Sequence, residues 1–321
     1  MNKDMLENLD KQEKNIIDIH DFNSYIENSK KVGFQATQLG RARAILRSVI
    51  AERKNYTIFL GFTANLVASG LRGYLASLVK KGLVDVIVTT GGGIDHDVIR
   101  CFMDYQVGDF DFDDKELHDN SINRIGNILV HNKCYEKLEQ ISNQVLVKLI
   151  ELKRFQNSPS ELIYEYSKYV YENSKDENSI LRACYEKNIN IYSPGITDSA
   201  IGLNIYFFKK KKKDYEKLSI DVTKDMNELA NKVLNAEKTF GLILGGGITK
   251  HHILGVNLLR NGLDKAIYIT TSNEFDGSLS GARTREAISW GKIKSCIDNY
   301  NHVTIHGDAS IILPVLLYNL I

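Results

Sequence analysis

The sequence predicts an α/β protein built on a mainly parallel sheet with helices on both faces. Three observations carry that expectation. Short apolar runs end in polar turns and are followed by segments of helical apolar spacing, and this unit recurs about six times along the chain. The unusual residues (paired and tripled glycines, threonines, aspartates) gather at the carboxyl ends of those runs. The composition, 43% hydrophobic and 25% charged over 321 residues, is that of a soluble chain able to bury a large core.

Residues 1–32 read as a polar helical leader with a thin apolar stripe at Met5, Leu6 and Leu9, and residues 33–321 as one large domain. Residues 34–53 have helical spacing. Residues 57–62 are a strand that ends in Thr63, Ala64 and Asn65, and a helix follows to about Lys81. Residues 84–89 are the next strand, ending in Thr90 and three glycines before Asp95, His96 and Asp97. A short β-like stretch at 121–130 precedes a mostly helical region, 132–188. Residues 190–192 form a strand ending in the turn 193–199, and Phe208 leads into five lysines, 209–213, read as a solvated loop. A helix at 221–238 is followed by a strand at 241–244, three glycines, then Lys250, His251 and His252 and a helix at 253–259. The strand at 265–270 opens onto a long polar turn, 271–283, and then Glu286, Trp290 and Lys292. A strand at 303–306, the turn 307–310 and an apolar helix close the chain.

Several function classes are disfavoured at once. The net charge of +1 gives no global pull toward nucleic acid. Four widely spaced cysteines without a CxxC predict free thiols in a reducing compartment and no metal site. No apolar run approaches the roughly 20 residues that span a bilayer. The charged amino-terminal segment lacks the apolar stretch of a secretory signal, so the expected location is cytoplasmic.

Parallel sheets bind ligands at the carboxyl ends of their strands, so the polar turns should converge on one rim. The two triple-glycine turns let a backbone approach a phosphate closely, although neither matches GxGxxG. His251 and His252 point in different directions on a helix and have no evident third ligand. A general base or hydrogen-bond donor fits them better than a metal, and a helix cap fits equally well. Lys292 stands near Trp290 and Glu286. An amine walled by an aromatic ring loses hydration and can attack as a nucleophile to form an imine. The competing reading is a surface lysine beside a core tryptophan. Asp95, His96 and Asp97 either hold a ribose hydroxyl or an amine, or cap helices.

From Gly33 onward the chain resembles the deoxyhypusine synthase family. The match rests on GFQAT–LGRA, LGFTANLVASG, VDVIVTTGGGIDHD, INRIGN, SPGITDS, LILGGGITKHH, NEFDGSLSGAR, AISWGKI and GDAS. The resemblance implies a doubly wound, Rossmann-like domain, usually a homotetramer with active sites at subunit interfaces. It implies NAD as a recycled cofactor, spermidine as donor, and the precursor of translation initiation factor 5A as acceptor. By matched position, Lys292 of WGK is the nucleophile, with His251 and Glu286 catalytic beside it. Ala64, Asn65, Ala68, Thr90, Gly91, Gly92, His96, Asp198, Thr271, Ser272, Asp308 and Ala309 fall at cofactor positions. Asp95, Gly246, His251, Gly277, Ser280, Gly281, Glu286 and Trp290 fall at substrate positions. Where eukaryotic members carry acids that grip the polyamine ends, this chain has His96, Leu203 and Leu279, a form closer to archaeal or bacterial relatives; Asp95, Glu274 and Asp276 are candidates to compensate. Two other functions stay open: aminobutyl transfer to putrescine, giving homospermidine, and a silent paralogue serving as a regulatory subunit.

Overall fold

The structure, a computed structural model, describes residues 21–295 and 301–320. In chain order it contains α1 (Phe22–Asn28), α2 (Phe34–Ala51), β1 (Tyr56–Phe62), α3 (Ala64–Ala68), α4 (Leu71–Lys80), β2 (Val86–Thr89), α5 (Gly91–Arg100), β3 (Gln106–Val107), α6 (Asp114–Asp119), β4 (Ile122–Ile125), β5 (Ile128–His131) and α7 (Asn132–Glu151). There follow β6 (Gln156–Asn157), α8 (Pro159–Asn173), α9 (Ile180–Lys187), β7 (Ile191–Tyr192), α10 (Ala200–Lys211), β8 (Ser219–Ile220), α11 (Lys224–Leu234), β9 (Lys238–Leu244), α12 (Ile248–Asn257), β10 (Lys265–Thr270), α13 (Thr284–Ser289), β11 (His302–His306) and α14 (Ala309–Leu317).

Six strands form one sheet in the order β11-β10-β9-β1-β2-β7, and every pair is parallel. Numbered within this sheet alone, the order is 3-2-1-4-5-6, the doubly wound arrangement, with its reversal between β1 and β9. Alternate residues of β1 serve opposite faces, as the period of two requires. Ile58, Leu60 and Phe62 join Ala42, Ile45 and Val49 of α2 in one apolar layer. Phe59 joins Ile253 and Leu254 of α12 in the other. Both faces of the sheet are thus covered by helices, and the strands read as continuous apolar runs because neither face meets water.

Some elements differ from expectation. The stretch 121–130 is β as expected, but as an antiparallel hairpin, β4–β5, in a separate three-stranded sheet with β3. The lysine run is a loop only in part: Lys209, Lys210 and Lys211 form the last turn of α10, where cations meet the negative end of the helix dipole, and exposed Lys212 leaves the helix in an extended conformation. Of the leader, α1 packs on the body, with Ile26 buried and the Phe22 ring edge-on to Tyr318 at 5.0 Å. Met5, Leu6, Leu9 and Cys296 lie outside the described residues. Cys101, Cys134 and Cys184 are free thiols. No helix among the described residues is long and apolar enough to cross a membrane.

Candidate active site

Because all six strands run parallel, their carboxyl ends share one rim. Register places Phe62 beside both Leu244 and Thr89, so the turns that follow β1, β9 and β2 are neighbours. The reversal of strand order between β1 and β9 opens a crevice there. Asn65 stands on the first turn of α3 and accepts from the Thr63 hydroxyl at 2.6 Å; Ala64 and Ala68 lie on the same helix. Thr90 is the N-cap residue of α5, ahead of Gly91 and Gly92, and its Oγ1 is buried with no hydrogen-bond partner among the described residues. Asp198 is exposed in the turn before α10. Thr271 and Ser272 follow β10. Asp308 is exposed at the start of α14, with its carboxylate on the Ser310 N–H at 2.8 Å, ahead of buried Ala309.

The second half of the site is a cavity of about 250 Å³. Among the residues lining it are His251 of α12, Glu286 of α13, Trp290 and Lys292. These four come from two chain segments some forty residues apart, brought together because α12 and α13 follow adjacent strands, β9 and β10. Lys292 owes its position to a helix cap. Trp290 ends α13, and Gly291 takes a left-handed φ of 66°, which a residue with a Cβ adopts at a cost. The Lys292 N–H then reaches Ala287 O at 2.8 Å, and the Gly291 N–H reaches Ile288 O at 2.9 Å. That is the Schellman pattern. The WGK triplet is therefore a helix stop that throws the lysine off the helix end. Leu263 N–H bonds the Lys292 carbonyl at 3.0 Å, so the backbone is fixed on both sides. The Lys292 Nζ lies 5.3 Å from the centre of the Trp290 ring, and among the described residues no hydrogen bond holds it. Trp290 itself is 66% exposed.

The 271–283 turn forms one wall. Its ends are tied by Thr270, whose hydroxyl donates to Ser280 O at 3.2 Å. Gly281 passes so close to the opposite limb that a Cβ there would lie 1.4 Å from Asn273 O, and a Cβ on Gly246 would lie 2.4 Å from the Ser280 Cα. Glycine at both positions is a condition of the wall's closure, while Gly277 supplies a left-handed bend at the exposed tip. Glu274 is spent on Arg283, at 2.6 Å.

Asp95, His96 and Asp97 separate, since successive residues on a helix turn by about 100°. The Asp95 carboxylate, 4% exposed, accepts from Ala200 N at 2.7 Å and Ile201 N at 3.0 Å and so caps α10. His96 meets the Tyr105 hydroxyl at 2.8 Å, and burial lowers its pKa to about 4, leaving it neutral. Asp97 helps cap α9 and pairs with Arg72. None of the three lines the cavity.

Burial raises the Asp95 carboxyl to about 7, outweighing its two N–H donors. An acid whose folded pKa exceeds its unfolded one stabilises the fold fully below the unfolded value, about pH 4. It loses that contribution as pH rises through about 7. Asp95→Asn has no such titration. Its stability relative to the parent should therefore rise between about pH 4 and pH 7.5, as denaturant midpoints will report; a constant difference contradicts the assignment.

Sequence reasoning gave no role to Lys250. It is 1% exposed, lines the cavity beside His251, and donates to the carbonyls of Leu279, at 2.7 Å, and Ala282. Its Nζ lies 4.4 Å from the Tyr268 ring centre. Burial lowers its pKa to about 8, opposed by the charge of Glu286.

Comparison with known proteins identifies the architecture. A family model described as deoxyhypusine synthase matches residues 24–320. The chain belongs to the deoxyhypusine synthase family. A relative from Pyrococcus abyssi, named "Probable deoxyhypusine synthase", is 43% identical over 92% of this chain and 88% of its own length. One of the same name from Sulfurisphaera tokodaii is 43% identical over 91% and 90%. A solved structure from Entamoeba histolytica, described as a "putative deoxyhypusine synthase", superposes with a TM-score of 0.66 at 24% identity, covering 96% of this chain and 95% of that one. Deoxyhypusine synthases are transferases that use a nucleotide cofactor and move an aminobutyl group in hypusine formation.

Proposed function

We propose that this protein transfers the aminobutyl group of spermidine, through an imine on Lys292, to a specific lysine of the translation initiation factor 5A precursor. The observation that carries the reading is the cavity that joins Lys292, Glu286, Trp290 and His251 on the carboxyl side of the sheet.

The rim residues suit NAD. The crevice lies where dinucleotides bind in doubly wound sheets, the buried Thr90 Oγ1 lacks a partner among the described residues, and exposed Asp198 and Asp308 are acceptors for ribose hydroxyls. Ala64, Asn65, Ala68, Gly91, Gly92, His96, Thr271, Ser272 and Ala309 complete the proposed set. NAD, when bound, supplies a hydride acceptor that later gives the hydride back.

Within the cavity, Glu286 receives a donor ammonium, and Trp290, Leu254 and Leu279 lie along its alkyl chain. His251 offers a ring nitrogen to the reacting amine. The Lys292 amine attacks the imine carbon of the dehydrogenated donor. The bond to the propane-diamine nitrogen breaks, and that diamine leaves with the proton Lys292 gives up. The acceptor lysine then displaces Lys292 in the same way and is left holding the imine; with the hydride returned to that imine, the overall reaction carries no net redox change. We further infer that the site is completed by a second copy in a cytoplasmic homotetramer. The 66% exposure of Trp290 and 87% exposure of Phe275 leave an apolar face beside the cavity that such a copy would cover.

Leu203 and Leu279, which replace acids of eukaryotic members, favour one second reading, transfer to putrescine. Incubation with NAD and radiolabelled spermidine, alone, with putrescine, or with the factor 5A precursor, separates the two. Label on the protein lysine is expected; label in homospermidine alone would overturn the protein-acceptor reading.

A further inference from the structure

Among the described residues two lysines line the cavity, and by burial the one most easily mistaken for the nucleophile is Lys250. Its surroundings argue otherwise. An ammonium has three donors and no acceptor. Two of those of Lys250 are given to the carbonyls of Leu279 and Ala282, and the amine sits against the face of the Tyr268 ring. Held so as an ammonium, the nitrogen has two donors committed to the wall and its remaining side against the ring, with no lone pair to offer. The two carbonyls bracket Ser280 and Gly281, the residues packed against Gly246 and Asn273. Leu279, Ala282 and Arg283 from the same stretch face the cavity. Lys250 is thus a tie between the first turn of α12, which carries His251, and the backbone that forms the opposite wall.

We propose that Lys250 is a positioning residue: it fixes the 279–282 backbone against α12, sets the wall along which the donor amine lies, and leaves covalent attack to Lys292. This rests on the reaction proposed above, but half of its test does not. Lys250→Met keeps the side chain's length and removes its donors; Lys250→Gln keeps two donors on a shorter stem. Amide hydrogen exchange in the peptide spanning 277–283 should quicken at least about tenfold in Lys250→Met, with Lys250→Gln intermediate and β9 unchanged. Should the methionine variant fail to fold, the glutamine variant against the parent carries the comparison. With NAD and spermidine, KM for spermidine should rise at least about tenfold more than kcat falls, and borohydride should still trap the aminobutyl group on Lys292. Unchanged exchange in the wall peptide overturns the proposal, as does trapped aminobutyl on Lys250 in the parent protein. If the parent takes nothing from spermidine, the reaction falls while the exchange result still decides whether Lys250 holds the wall.

Discussion

Lys292→Ala is expected to abolish covalent capture of the aminobutyl group and lower transfer to any acceptor by roughly 10⁴-fold or more, since no other group takes over a lost covalent nucleophile. Lys250, the only other lysine among the described residues that line the cavity, has two donors committed to carbonyls of the wall. The variant should fold as the parent does, because Lys292 is fixed through its backbone, which alanine retains. NAD affinity should stay within about threefold, since the proposed cofactor residues lie on other turns of the rim. Titration of NAD and transfer assays on one preparation measure both. A variant that transfers at the parent rate removes Lys292 from the mechanism.

Asp97→Ala carries the largest expected loss of stability. The Arg72 guanidinium and the Asp97 carboxylate are 3% and 1% exposed and pair directly. Asp97 also accepts from the Ser179 hydroxyl at 2.8 Å, Leu181 N at 2.8 Å and Ile180 N at 3.2 Å, so it joins the N-cap residue Ser179 in satisfying the start of α9. Alanine strands those donors and leaves the buried cation with Asp176, itself partly solvated. Removing one partner of such a pair costs about 3–5 kcal/mol, a large share of the roughly 5–15 kcal/mol that holds a typical fold. A drop in the denaturant midpoint at unchanged slope is the expected signature. Asp97→Asn, which keeps acceptors for the helix cap, should lose less. A loss under about 1 kcal/mol for the alanine variant would mean that water reaches Arg72.

The sheet was legible because buried parallel strands are apolar throughout and stop abruptly at Gly, Thr and Asp. That is why the six polar turns predicted from sequence lie on one rim. The cavity was legible in its parts, through WGK and KHH. What escaped was direction. Nothing in IDHD tells that Asp95 turns to the end of α10 and Asp97 to the end of α9, since both partners are distant in sequence. Lys250 did leave a signal. It falls on the stripe completed by Ile253, Leu254 and Asn257, the helical spacing of a buried face. The expectation of a lysine dried by its aromatic neighbour also met a different geometry: the dry amine is Lys250, and Trp290 is open on one side.

The account turns on one covalent bond, and trapping it is the most direct test. The parent protein would be incubated with NAD and labelled spermidine without an acceptor, reduced with borohydride, digested, and its peptides read by mass. An aminobutyl group is expected on the peptide containing Lys292, formed only when NAD is present. Label on another residue, or product formed at full rate with no labelled peptide, would contradict it.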